Sequence, residues 1–219
     1  MPTDAMSRKT NDGLTLVAFQ KRCHETNNYS EDAICRGALF AGLAGEAGEV
    51  CDAFLKLEFG KGTPESDKEL ARLSDSVAME VCDCLWYAVE LCWSFGFDLE
   101  KNIPIDVLAL FGVKAEYPPT ISEIQSNVNE AECWKVAMNL AAIAGETIEC
   151  YKKMLRDDNG RWTKDRITLV YSHIINLISC TILLWESLGY DAEDMCNKLI
   201  NKLARRALEG KISGSGSDR

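Results

Sequence analysis

The chain has 219 residues, 47% of them hydrophobic, and its 34 acidic against 24 basic side chains leave a formal net charge of −10. That composition belongs to a globular protein with enough chain for one good-sized core, and it excludes a disordered polymer. The negative charge opposes nucleic-acid backbones and anionic membranes, so neither is an expected partner, and it suits a protein that holds anionic ligands through bound cations.

Taken in chain order, Met1 to Thr10 carry charges without an apolar stretch behind them, so no secretory signal is expected. From there apolar residues recur at steps of three and four, while alternating runs of strand type are scarce. The spacing predicts an all-α protein, with helices over 14–27, 32–59, 67–95, 121–155 (broken near Asn129), 164–188 and 191–209. Helix-stopping residues punctuate them at Gly60 to Pro64, at Gly96, at Tyr117 to Pro119 and at Asp157 to Gly160. The stretch 167–185 is long enough to cross a bilayer, but its Thr168, Ser172, His173, Asn176, Ser179 and Thr181 suit the centre of a bundle, and no membrane span is expected. Residues 210–219, with their alternating Ser and Gly, read as a disordered tail. The ten cysteines are scattered through apolar helical stretches as small core residues, which fits a reducing cytoplasm. Cys82 and Cys84 lack the spacing and the second pair that a structural zinc site needs.

An internal duplication runs through this pattern. The segment LAGEAGEVCDAFLK at 43 returns as IAGETIECYKKMLR at 143, and ELCWSFGFDLE at 90 returns as LLWESLGYDAE at 183. Repeats of this size bury their apolar faces against each other. The expected architecture is a single all-α domain over 1–219, a helical bundle of two helical-hairpin repeats fused as a pseudo-dimer. The first repeat covers 14–100, a connector 101–122 and the second repeat 123–209.

The chemistry lies in the first repeat. Leu39, Leu43, Glu46, Val50 and Phe54 fall on one helical stripe, and Leu73, Val77, Glu80, Cys84, Tyr87 and Leu91 on another, so a carboxylate interrupts each apolar row. Residues three apart share a helix face, which adds Glu49 to Glu46 and Asp83 to Glu80. Between Val77 and Phe95 the only charged residues are Glu80, Asp83 and Glu90. Antiparallel neighbours would bring four carboxylates to one place, where they repel unless protons or cations neutralise them. Four hard oxygen donors with no His or Cys favour Mg²⁺ or Mn²⁺ over zinc. The alternative is a solvated acidic face, with Asp52 a plain example.

With GLAGEAGEV followed by EVCDCLWY, the repeat resembles the MazG-like all-α nucleoside triphosphate pyrophosphohydrolases, which include the dimeric dUTPases and the dCTP pyrophosphatases. The resemblance implies that Glu46, Glu49, Glu80 and Asp83 are catalytic metal ligands for Mg²⁺, with Mn²⁺ as a substitute. It implies hydrolysis of an NTP or dNTP, with an inclination to pyrimidine substrates such as dCTP or dUTP, to the monophosphate and pyrophosphate. Glu49 is the carboxylate expected to bridge metals or take the proton of the attacking water. Lys56 is placed to reach phosphate oxygens, or else is simply solvated. Tyr87 matches the family position that meets sugar or base, and Trp86 belongs to the core. His24, Asn28 and Tyr29 lie in the stretch that in relatives encloses the base, and Lys202 and Arg206 match a C-terminal Lys-Leu-x-x-Arg segment that meets phosphates.

In the second repeat Glu146 and Glu149 persist, but His173 and Asn176 replace the second acidic pair. That half is expected to complete the bundle without catalysing. The chain would act as a monomeric pseudo-dimer or as a homodimer, and its partner is a small-molecule nucleotide. Two rivals remain: a non-catalytic nucleotide-binding or regulatory module of the same fold, and a di-iron bundle, whose Glu-x-x-His signature is missing from the expected helices.

Overall fold

The computed structural model describes residues 13–29, 33–60, 67–99, 121–122 and 133–209. Among these, the structure is all-α, built from six helices: α1 (Leu16–His24), α2 (Ala33–Gly60), α3 (Asp67–Ser94), α4 (Cys133–Asp157), α5 (Lys164–Leu188) and α6 (Ala192–Leu208). The connector up to residue 120, the expected break near Asn129 and the expected tail lie outside the described residues.

Local chemistry sets the helix ends. Thr15 caps α1 by accepting from the Ala18 N–H at 3.2 Å, and Thr163 caps α5 by accepting from the Arg166 N–H at 3.3 Å. Asp191 caps α6 through the Asp194 N–H at 2.8 Å, and Glu193 and Asp194 add acid to its first turn where the helix dipole favours it. Between α5 and α6 the chain reverses at Gly189, whose φ of 80° is a left-handed conformation that a Cβ would oppose.

Side-chain pairings fix the direction of each neighbour. Arg36 meets Ser94, Gly42 meets Tyr87 and Glu46 meets Glu80, so α2 and α3 run antiparallel. Asn139 meets Cys180 and Cys150 meets His173, so α4 and α5 do the same. The two hairpins lie side by side, α2 against α4 and α3 against α5, and form a four-helix bundle. Across the second contact the Trp185 indole donates to the Ala78 carbonyl at 3.0 Å, and both residues are fully buried.

One continuous core fills the bundle. It includes Leu39, Leu43, Val50 and Phe54 from α2, Val77, Cys84 and Leu91 from α3, Leu140 from α4, and Ile174 and Leu177 from α5. Each such side chain contributes about 1.5–3 kcal/mol by leaving water. Small residues let the helices close up at two points. A Cβ on Gly42 would lie 2.2 Å from the Tyr87 ring, and one on Gly37 would lie 2.5 Å from the Tyr151 hydroxyl. Helices α1 and α6 cover the α3 side, and the Leu14 N–H donates to Glu193 at 2.8 Å, joining the two ends of the described fold.

Seven cysteines are buried, two are partly exposed, and none of these nine is bridged. Lys164–Ser187 is long and apolar enough to cross a membrane, and half of its most apolar window is buried inside the bundle.

Candidate metal centre

The antiparallel run of α2 and α3 brings Glu46 opposite Glu80 and Asp83. One carboxylate oxygen from each of the three lies within 4.8 Å of the others, and all three side chains are half-buried. Three like charges so close destabilise one another. Burial first, then the charges of Asp83, Glu49 and Glu80, push the Glu46 carboxyl up to about 7. Glu80 is raised for the same reasons, burial ahead of Asp83 and Glu49. Hard oxygens at this spacing fit a divalent cation, and this is the one group of possible metal ligands among the described residues.

Glu49 is exposed and stands outside the group of three, although its charge reaches both Glu46 and Glu80. The helix explains the split. A step of three residues turns the side chain by about 60°, so when Glu46 faces α3 its neighbour slides towards solvent. Lys56, also exposed, pairs with Asp52 one turn away on α2, yet its charge still pulls on Glu80.

The centre carries its own cation. Lys202, from α6, places its ammonium 2.9 Å from Asp83 Oδ1 and 2.6 Å from Oδ2, with both side chains largely shielded from solvent. Arg206 lies one turn further along the same helix, half-buried. Lys202 also lowers the cost of ionising Glu46 and Glu80.

Beyond Asp83 the same face of α3 presents Tyr87. Its ring lies over Gly42, and burial together with a hydrogen bond to Tyr29 raises its phenol. Tyr29 is exposed and tilts over Trp86 at 6.3 Å, and Trp86 is buried as expected. His24 stacks on Trp93 at 4.0 Å, and its Nδ1 lies 3.1 Å from Glu90 Oε2. Asn28 is exposed. The structure thus gathers Glu46, Glu80, Asp83 and Lys202, with Tyr87 and Tyr29 adjoining. Sequence reasoning assigned no role to Asn27 and Glu90, which hydrogen-bond each other. The available signal was a lone charge at position 90 inside an apolar row.

The matching place in the second hairpin is built differently. His173 Nε2 lies 3.5 Å from Glu146, Glu149 pairs with Lys152 and Lys153, and burial lowers the His173 imidazole against the pull of Glu146. Compared with known proteins, the chain matches no family model, no curated protein and no solved structure.

Proposed function

We propose that the protein is a Mg²⁺-dependent pyrophosphohydrolase of nucleoside or deoxynucleoside triphosphates, MazG-like in its chemistry, with one working site on α2 and α3. The observation that carries this reading is the group Glu46, Glu80 and Asp83, closed to within 4.8 Å on two antiparallel helices in the order the resemblance requires. Mn²⁺ would substitute for Mg²⁺, since both take hard oxygen donors.

Glu46, Glu80 and Asp83 would hold the metal, with Glu49 at the solvent edge. Held there, a divalent cation would supply positive charge against the triphosphate and would make a water more acidic. Glu49 would accept the proton of the attacking water as the water's oxygen bonds to the α-phosphorus. The bond from the α-phosphorus to the bridging oxygen breaks, and pyrophosphate departs with the electron pair. Lys202 steadies Asp83 and would offer an ammonium to phosphate oxygens, and the charge of the exposed Lys56 reaches Glu80. Tyr87 and Tyr29 form an aromatic wall for sugar and base.

The second hairpin would shape the bundle and lend α6 to the first, without turnover of its own. With a pair of lysines on Glu149 and an imidazole beside Glu146, it offers no three-carboxylate group among the described residues. Free thiols at nine positions suit a reducing cytoplasm, where a pool-cleaning nucleotide hydrolase would work. The test is a panel of NTPs and dNTPs with Mg²⁺, read as pyrophosphate released. Release from at least one nucleotide, lost in Glu80→Gln, supports the proposal; a panel without turnover overturns it.

A further inference from the structure

Glu90 is the most completely buried charged residue described, 1% exposed in the last turns of α3. Such a carboxylate destabilises a fold unless it holds something. Burial pushes its carboxyl up, and the hydrogen bonds from His24 and Asn27 draw it back. Both of those contacts fall on Oε2, while Oε1 is buried without a hydrogen-bond partner among the described residues. The carboxylate is therefore poorly satisfied as a core group, and its hydrogen bonds both point one way, to the last residue of α1 and the segment that follows it.

From Glu90 a chain of contacts leads back towards the metal centre. Asn27 Nδ2 donates to Glu90 Oε2, and the Oδ1 of the same Asn27 accepts the Tyr29 N–H at 2.7 Å. The Tyr29 side chain shares a hydrogen bond with Tyr87, whose ring lies over Gly42, one turn before Glu46. His24 adds a second tie to Glu90 and is clamped flat on Trp93, at an interplanar angle of 17°. On α3 the positions Glu80, Asp83, Tyr87 and Glu90 occupy one face, with Glu90 about 10 Å along the axis from Asp83. That is close to the span from an α-phosphate to the far edge of a nucleobase.

We propose that Glu90 is a positioning residue: its carboxylate anchors the segment His24–Tyr29, through His24 and Asn27, and so sets Tyr29 against Tyr87 as the nucleoside-facing wall of the site. This rests on the nucleotide reading for what the wall meets, and on the hydrogen bonds alone for the anchor. Glu90 does not ligate metal, although it shares its helix face with two carboxylates that are proposed to. An amide at this position keeps an acceptor for Asn27, so charge is dispensable and the hydrogen bonds are not.

Glu90→Ala, Glu90→Gln and Asn27→Ala test this with three readouts: steady-state kinetics on the best nucleotide of the panel, Mn²⁺ affinity by calorimetry, and amide hydrogen exchange at Tyr29. Losing hydrogen bonds to a carboxylate predicts a roughly ten- to hundredfold rise in KM for Glu90→Ala and Asn27→Ala. Faster exchange at Tyr29 should accompany it, with kcat and Mn²⁺ affinity within about twofold of the parent, and Glu90→Gln should restore KM. A folded Glu90→Ala with parental KM and parental exchange at Tyr29 overturns the proposal. So does a fall in Mn²⁺ affinity that matches the kinetic loss, because general damage to α3 would produce it. If Glu90→Ala does not fold, Glu90→Leu removes the same acceptor while filling the core and decides the matter by the same criteria. If the parent turns over no nucleotide, the functional reading fails separately. Exchange at Tyr29 in Glu90→Ala, or in Glu90→Leu where the alanine variant does not fold, then still supports the anchor if it quickens and overturns it if it does not, because either change leaves the Asn27 oxygen that accepts the Tyr29 N–H in place.

Discussion

Replacing Glu46 by Gln should make the metal-free protein more stable and abolish its response to metal. The crowding of Glu46 by Asp83, Glu49 and Glu80 and its burial raise its carboxyl from 4.5 to about 7. A raised carboxyl stabilises the fold fully below the unfolded value and loses that contribution as pH climbs through about 7. At about 1.4 kcal/mol per pH unit the full rise corresponds to roughly 3 kcal/mol. Glu46 is only half-buried, so water screens it and brings the expected gain at pH 8 to about 1–2 kcal/mol, or a Tm higher by about 2–8 °C. Below pH 4.5 the gain should vanish, because the parent is then protonated whether folded or unfolded. Addition of Mn²⁺ at about a hundred times its Kd should stabilise the parent by about 2.7 kcal/mol and leave the variant unmoved. The assay is urea unfolding in chelator at pH 4 and pH 8, repeated with Mn²⁺. Equal stability of the two proteins at pH 8 in chelator would refute the crowding argument, and an undiminished Mn²⁺ response would refute the assignment of Glu46 as a ligand.

Lys202→Met strands a partly buried Asp83, and should cost about 1–3 kcal/mol at neutral pH by denaturant unfolding. It should also move the titration of Glu46 above about 7, read by carboxyl NMR, since Lys202 is the cation that draws it down. Gly42→Ala drives a methyl into the Tyr87 ring, to 2.2 Å, and overpacking of that kind lowers stability by about 1–3 kcal/mol, seen as a lower Tm. In the nucleotide assay Glu49→Gln should lose more than about a hundredfold in kcat. Glu146→Gln should stay within about threefold of the parent, and equal losses would show that the second hairpin catalyses too.

Most of the helical scaffold was legible because the apolar period and the breakers agree with the tertiary packing. The third helix stops at Ser94 just before Gly96, and the fourth at Asp157 where the run of breakers to Gly160 begins. The end of α1 was read too far along. Position 27 looked helical, but the helix stops at His24, because Asn27 donates to Glu90 and its own oxygen accepts from Tyr29. The bond to Glu90 joins residues 63 positions apart, and local periodicity carries no trace of it. The carboxylate pairs were legible as charges interrupting apolar rows. How they divide between the centre and the solvent was not, since it depends on how far α2 is rotated against α3. Lys202 was visible only through resemblance, because nothing within one helix says which neighbour its ammonium will meet.

The ammonium beside Asp83 comes from a residue 119 positions further along the same chain. Its local concentration at the carboxylates is therefore fixed by the fold and does not change with the amount of protein in solution. A centre divided between two separate chains falls apart on dilution, and its output per molecule falls with it. Here each molecule brings its own counter-ion, so the charge balance at the carboxylates stays the same from a crowded cell to a nanomolar solution.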